Sequence, residues 1–417
     1  MILLRLALGS LWNRRLAAGL TVLAVALSVA LLLGVEKLRI GARASFAGTI
    51  SGTDLIVGAR SGSVQLLLYS VFRIGSATNN VTWESFEEIA ARPEVKWAVP
   101  LSLGDSHRGY RVLGTTDAYL EHYRYRGGRP LELAEGAWFS DLFDAVLGWE
   151  VAQALGYAVG DEIVVAHGVA SFTEHDDKPF RVSGILARTG TPVDRTVHVS
   201  LEAIEAIHVD WRGGARIPGA TLSAEEVREM DLRPRAITAA LIGSESRLRI
   251  FALQRWINEY RAEPLLAVLP GVALQELWAV VGVAETALAA VSVLVVATAL
   301  TGLGAMVVAG LEARRREMAI LRAVGARPAT VAALLASEAA LLSLLGAALG
   351  LVATYAGLLL LRPWVDAAWG IYLPLTAPDA REGLMLLAVV AAGAAVSLIP
   401  AWRAWRMSLA DGMTPRL

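Results

Sequence analysis

Four long apolar runs stand out in a chain that otherwise mixes hydrophobic and polar positions finely. Leu16–Val35, Thr286–Leu311 and Gly383–Ala401 carry no charged residue, and Ala329–Leu361 carries only Glu338. A helix needs about 20 apolar residues to cross a bilayer core, so each run is long enough to span it. The first run follows Arg14 and Arg15 as a secretory signal would. It outlasts the usual apolar region of about 7–15 residues, however, and Glu36, Lys37, Leu38 and Arg39 behind it offer no small-residue cleavage site. It is expected to stay in place as a membrane helix.

Between the first two runs the period of the pattern changes. Phe180, Val182 and Gly184 alternate with Arg181 and Ser183, as in a half-buried strand. Thr53–Val57, Arg111–Gly114, Glu162–Ala166, Phe180–Leu186 and Thr196–Val199 read as strands. Trp83–Ala91, Trp149–Leu155, Leu201–Ile207 and Ser223–Met230 read as helices, the last opened by a Ser223/Glu226 capping box. Leu248, Phe251, Leu253, Trp256, Ile257 and Tyr260 recur at helical spacing and predict an amphipathic helix over Arg247–Tyr260. An extended piece, Leu265–Leu269, is closed by Pro270 and Gly271, and from Leu274 no breaker separates the chain from the second apolar run. The fold class is therefore an α-helical membrane protein with four transmembrane helices and a large α+β extracytoplasmic domain inserted between helices 1 and 2.

Charge orients these spans. Eleven arginines flank them on one side: Arg5, Arg14 and Arg15 before the first, Arg314, Arg315, Arg316, Arg322 and Arg327 between the second and third, and Arg403, Arg406 and Arg416 after the fourth. The short loop between the third and fourth holds only Arg362 and Arg381. Basic residues stay on the cytoplasmic side, which places both termini and the 312–328 loop inside. Trp12, Trp402 and Trp405 mark the inner boundary, and Trp278, Trp364, Trp369 and Tyr372 the outer one. Composition agrees, with 55% hydrophobic residues, a mean hydropathy of +0.51, and 18% charged residues against about 25% in a soluble domain. The net charge of −1 points to no nucleic-acid partner, and the absence of cysteine rules out disulfides and thiolate metal sites.

The most informative stretch is Glu312–Glu338. Met318, Leu321 and Val324 make one apolar strip with Ile320 beside it, framed by Arg315, Arg316 and Arg322. Gly325 is placed to end that short helix and Pro328 to open the next. Such an element fits a groove on a partner protein, or it is an ordinary loop whose arginines only anchor topology.

The sequence from Arg314 to Gly350 (RRREMAILRAVGARPATVAALLASEAALLSLLGAALG) resembles the signature of the MacB/FtsX-type (type VII) ABC transporter permease family. Ile399–Met413 (IPAWRAWRMSLADGM) is similar to the ending common after that family's last span. Leu147–Val165 and Phe180–Ile207 are similar in form to segments of its outer domain. The resemblance implies a permease subunit that couples ATP hydrolysis by a separate cytoplasmic ABC ATPase to periplasmic conformational change, for export or extraction of an unknown substrate. The alternative is a membrane scaffold that regulates a periplasmic partner without transport. It implies that Arg316, Glu317, Met318, Ala319, Ile320, Leu321, Arg322, Ala323, Val324 and Gly325 form the coupling helix on which the ATPase docks. It implies a second permease subunit, a homodimer first, with a periplasmic adaptor or binding protein as a further candidate partner and membrane lipids around the spans. ATP and Mg would be bound by the partner ATPase, with no cofactor in this chain. The expected layout is an interfacial helix over 1–15, transmembrane helices over 16–36, 282–311, 329–361 and 382–402, and a periplasmic domain over 37–281 with stalk helices at both ends. The coupling loop would cover 312–328, a short periplasmic loop 362–381 and a cytoplasmic tail 403–417, all in a bacterial inner membrane.

Catalytic signatures are missing. No GxxxxGK[ST], HExxH or GxSxG occurs, so the chain lacks the phosphate cradle of an ATPase and the usual handles of a hydrolase. The chain is therefore expected not to be an enzyme. Glu338, a carboxylate within a span, is read first as a structural group near the inner boundary. Gly346 and Gly350 form a GxxxG expected to pack within the subunit. No metal is assigned. The loop His167–Pro179 offers weak candidates in His167, His175, Asp176 and Asp177, since imidazoles and carboxylates together suit a divalent ion.

Overall fold

The computed structural model describes residues 12, 14–168, 175–212, 215–216, 222–246, 248–313, 320, 323, 325–369, 375–400 and 402. The chain divides into two compact units. One comprises Met1–Ala42, Gly282–Asp366 and Leu373–Leu417, and the other Arg43–Val281 and Ala367–Tyr372.

The first unit is helical. Four helices are long and apolar enough to cross a membrane, Arg15–Gly48, Pro270–Gly310, Ala329–Val365 and Ala380–Pro400, and they contain the four expected runs apart from a residue at one end. The second belongs to an unbroken 44-residue helix, Pro270–Ala313. Pro270, expected to close the extended piece that ends at Val268, also opens this helix: a first-turn residue has no intrahelical acceptor for its N–H, so proline loses nothing there. Val25, Val29, Leu33, Leu300, Leu303, Leu334, Leu335, Leu342 and Val389 form the unit's core. Leu20, Leu27, Leu294, Leu360 and Leu384 remain exposed on the outer faces. Helices that are apolar all round suit a lipid surround. The GxxxG packs within the chain: a Cβ on Gly346 would lie 2.7 Å from the Val25 side chain, and one on Gly350 2.7 Å from the Ala26 carbonyl oxygen. Only glycine lets the third helix approach the first so closely.

The second unit is built on a ten-stranded mixed sheet. Its strands are β1 Leu55–Ala59, β2 Val95–His107, β3 Tyr110–Thr115, β4 Leu133–Gly136 and β5 Asp144–Leu147. They continue with β6 Glu162–Ile163, β7 Phe180–Leu186, β8 Thr196–Ser200, β9 Ala239–Ser244 and β10 Leu265–Val268. The spatial order is β10-β1-β9-β2-β3-β8-β5-β7-β4, with β6 paired to β7. The β3–β8 and β5–β7 pairs are parallel. In β1 and β9 both faces are covered, which splits the side chains between two cores. Ile56 and Leu241 join Leu66, Leu67, Val99, Leu101 and Tyr119 on one face. Leu55, Val57, Ala240 and Ile242 meet Phe86, Ile89, Leu253 and Ile257 on the other. Further along, Val112, Ala145, Phe180, Val182, Val197 and Val199 pack under the helices Trp149–Leu155 and Leu201–His208.

β2, β4, β5 and β9 were not expected from the sequence. β2, the longest strand, contains Pro100 and Gly104, residues that argue against a central strand, and its register with β3 shifts between Leu103 and Ser106. The β2–β3 hairpin turns at Arg108 and Gly109, whose φ values of 47° and 87° are the paired positive angles of a type I′ turn. The expected strand Glu162–Ala166 is regular only to Ile163, and Ala166 bridges Ser106 instead. The capping box forms as expected, with Ser223 and Glu226 each accepting from the other's backbone N–H.

Candidate functional site

The expected coupling helix falls largely outside the described residues: Arg316, Glu317, Met318, Ala319, Leu321, Arg322 and Val324 are not among them. Ile320 and Ala323 are helical and exposed. Gly325 has φ +102°, the left-handed conformation that terminates a helix and that only glycine adopts freely. Pro328 opens the next helix as expected. Glu338 is buried in the helical unit.

A polar network that the sequence did not signal ties all four long helices together in this unit. Lys37 on the first helix lies 2.5 Å from Glu382 on the fourth, both nearly buried. Tyr355 on the third helix donates its hydroxyl to Glu382 at 3.0 Å, and its ring lies 5.1 Å beneath the Lys37 ammonium. Glu36 accepts two hydrogen bonds from Arg39 and pairs with Arg381 at 3.1 Å. Arg39 also reaches Glu285 on the second helix at 3.7 Å. Asp379 caps the fourth helix by accepting the Glu382 N–H.

In the sheet unit, three of the chain's six histidines converge on one aspartate. One ligand atom from each of Asp105, His167, His175 and His208 lies within 4.8 Å of the others. Asp105 stands near the end of β2, held there by the hairpin. His167 follows Ala166, whose N–H donates to the Ser106 carbonyl at 2.8 Å. The His175 N–H donates to the Val165 carbonyl at 2.8 Å, and His208 ends the helix Leu201–His208. His167 Nδ1 lies 2.9 Å from His208 Nε2, and each is 3.5 Å from an Asp105 carboxylate oxygen. The Gly168 N–H reaches the same oxygen at 3.4 Å. Trp211 lies against His175 and His167, with centroids 4.5 and 5.0 Å apart.

Electrostatics follow from this packing. Burial would raise the Asp105 carboxyl, but hydrogen bonds with His167 and His208 outweigh it and hold it far below the usual carboxylate range. Burial would lower His208, and Asp105 raises it instead. His175 is pushed down to about 4, first by burial and then by the neighbouring His208 charge. It is a neutral imidazole at ordinary pH.

The structure thus brings together two of the four weak candidates and separates the others. Asp176 is exposed, and Asp177 accepts a hydrogen bond from Lys178 at 2.9 Å. Lys178 is itself fully buried and paired with Asp210 at 3.1 Å. Neither aspartate belongs to the cluster. Asp105 and His208 were missed: they lie 62 positions before and 41 after His167, as the numbering shows, and only the β2–β3 hairpin and the end of one helix bring them close. No local spacing could have found them.

The family model of the MacB-like periplasmic core domain matches residues 18–241, and that of the FtsX-like permease C-terminal matches residues 289–409. Among solved structures, the periplasmic region of MacB from Actinobacillus actinomycetemcomitans aligns at 11% identity, covering 55% of this chain and 94% of that one, with a TM-score of 0.34. The extracellular domain of the noncanonic ABC-type transporter YknZ from Gram-positive bacteria aligns at 13% identity over 52% of this chain and 99% of that one, with a TM-score of 0.31. No curated protein matches the chain. The first family model alone spans more than half of the sequence and the second takes in the later helices, so the chain belongs to the MacB/FtsX-type family of ABC transporter permeases.

Proposed function

We propose that this chain is the membrane subunit of a complex in which a separate cytoplasmic ABC ATPase docks on Arg316–Gly325. Nucleotide-driven motion then passes along the long helices to the inserted domain, in export or extraction of a substrate. Both termini and the docking loop face the cytoplasm, and the inserted domain lies on the periplasmic side of the inner membrane. Two copies of the permease stand side by side, each with its ATPase.

The observation that carries this reading is the length of the helices. At about 1.5 Å per residue, the 34 residues of Arg15–Gly48 and the 44 of Pro270–Ala313 run to roughly 50 and 65 Å, against a bilayer core of about 30 Å. An unbroken helix transmits displacement, whereas a flexible linker absorbs it. Exposed Ile320 and Ala323 ahead of the Gly325 turn supply an apolar element for a partner groove. Leu321→Glu or Ala323→Arg should abolish co-purification of the ATPase while leaving membrane insertion intact. Unchanged co-purification in both variants would remove the docking role.

A further inference from the structure

We propose that Asp105, His167, His175 and His208 form a closed, four-ligand site for a divalent transition metal ion, zinc first among them. The geometry is close to what such an ion requires. With metal–ligand bonds of about 2.0–2.1 Å, a tetrahedral site holds its ligand atoms about 3.4 Å apart. The three separations around Asp105, His167 and His208 are 2.9, 3.5 and 3.5 Å. Binding an ion would need a slight opening of the His167–His208 pair and a tightening of the whole set, whose four ligand atoms lie within 4.8 Å of one another.

Two further observations point to a ligand rather than to a hydrogen-bonded cluster. The first is His175, which is fully buried and, among the described residues, has no hydrogen-bond partner on either ring nitrogen. A buried polar group left unpaired forfeits the hydrogen bonds it made to water, and a metal bond from one nitrogen would offset that loss. A network of His167, His208 and Asp105 alone leaves His175 without a purpose. The second is the tautomer of His208. Its Nδ1 lies 2.7 Å from the Ile204 carbonyl, which can only accept, so Nδ1 carries the hydrogen. A metal ion that displaces the Nε2 proton then meets that atom's lone pair facing the cluster. Metal-bound histidines are oriented by this same kind of backbone contact.

The donor set selects the ion. Three imidazoles and one carboxylate suit zinc and its neighbours, while calcium and magnesium require oxygen ligands. Four protein ligands leave no open position for a reacting water, so the site is structural. The nearby Lys178 ammonium is compensated by Asp177 and Asp210 and adds no net charge against a cation. A bound ion would fasten the His167 and His175 backbone and the end of Leu201–His208 to β2, holding this corner of the sheet unit rigid.

The full-length protein, purified in detergent and stripped with a chelator, provides the test. Titration with zinc chloride should load one ion per chain and raise the thermal midpoint, because an ion that binds only the folded state stabilises it. Cobalt(II) chloride should give the intense visible absorption of a four-coordinate nitrogen–oxygen site. His167→Ala and His208→Gln should each weaken binding by about 100-fold or more. His167 is about a third exposed, so its variant should keep the midpoint of the chelated protein. Asp176→Asn should bind as wild type does. A wild-type chain that retains no zinc, a cobalt complex with only weak six-coordinate absorption, or binding unchanged in both histidine variants would overturn the site.

Discussion

His198 is fully buried in the sheet unit, near the rings of Tyr119 and Trp138. Its Nδ1–H donates to the Val146 carbonyl at 3.2 Å. Burial and the nearby Arg73 charge push it down to about 3. The unfolded chain takes up this proton near pH 6.5, and the folded chain takes it up only near pH 3. Stability is therefore whole above pH 6.5 and falls as the pH drops through that window, by at most about 1.4 kcal/mol per pH unit for one proton. The thermal midpoint of wild type should fall more steeply between pH 6.5 and 4.5 than that of His198→Phe. Parallel slopes would mean that His198 is protonated in the folded state. At this scale the sequence is a poor guide. His167 and His175 could be singled out as potential ligands because they share a loop, but no pattern distinguishes His198 as a core residue or His208 as a neighbour of Asp105.

At the scale of elements, the contrast lies between helices and strands. The long helices were legible because a membrane demands a continuous apolar run, which single polar residues do not erase. The GxxxG was legible as a packing face for the same reason. The strands were clearest where one face alternates, as in β7. They were not in β9, where both faces are buried and the run Ala239–Ile242 shows no period. The network of Lys37 and Glu382 was hidden because it joins residues 345 positions apart on separate helices, a distance read directly from their numbers. Removing one partner of a buried pair strands the other charge and costs roughly 3–5 kcal/mol, whereas replacing both by apolar residues of similar size is far milder. Glu382→Gln should therefore lower the thermal midpoint in detergent by more than the Lys37→Met/Glu382→Leu double variant does. If the double variant loses as much or more, the pair contributes specific stabilisation beyond its own neutralisation.

For the whole molecule, the proposed orientation of the chain rests on the arginines that flank the apolar runs. The rule behind it is electrostatic: short basic flanks resist translocation, and the flanks hold eleven arginines on one side against two on the other. The absence of cysteine makes this directly measurable, since any introduced thiol is the only one present. Gln153 is exposed on the helix Trp149–Leu155, Pro378 is exposed ahead of the fourth helix, and Trp12 is exposed before the first. In sealed spheroplasts, a membrane-impermeant maleimide should label Gln153→Cys and Pro378→Cys at once. Trp12→Cys and Ala326→Cys should label only after the membrane is permeabilised. The Trp12 position lies outside the docking loop, so its protection reports the bilayer and not a bound ATPase. Immediate labelling of Trp12→Cys, with protection of Gln153→Cys, would invert the topology. The ATPase would then face the inserted domain, and Arg316–Gly325 could not be its docking element.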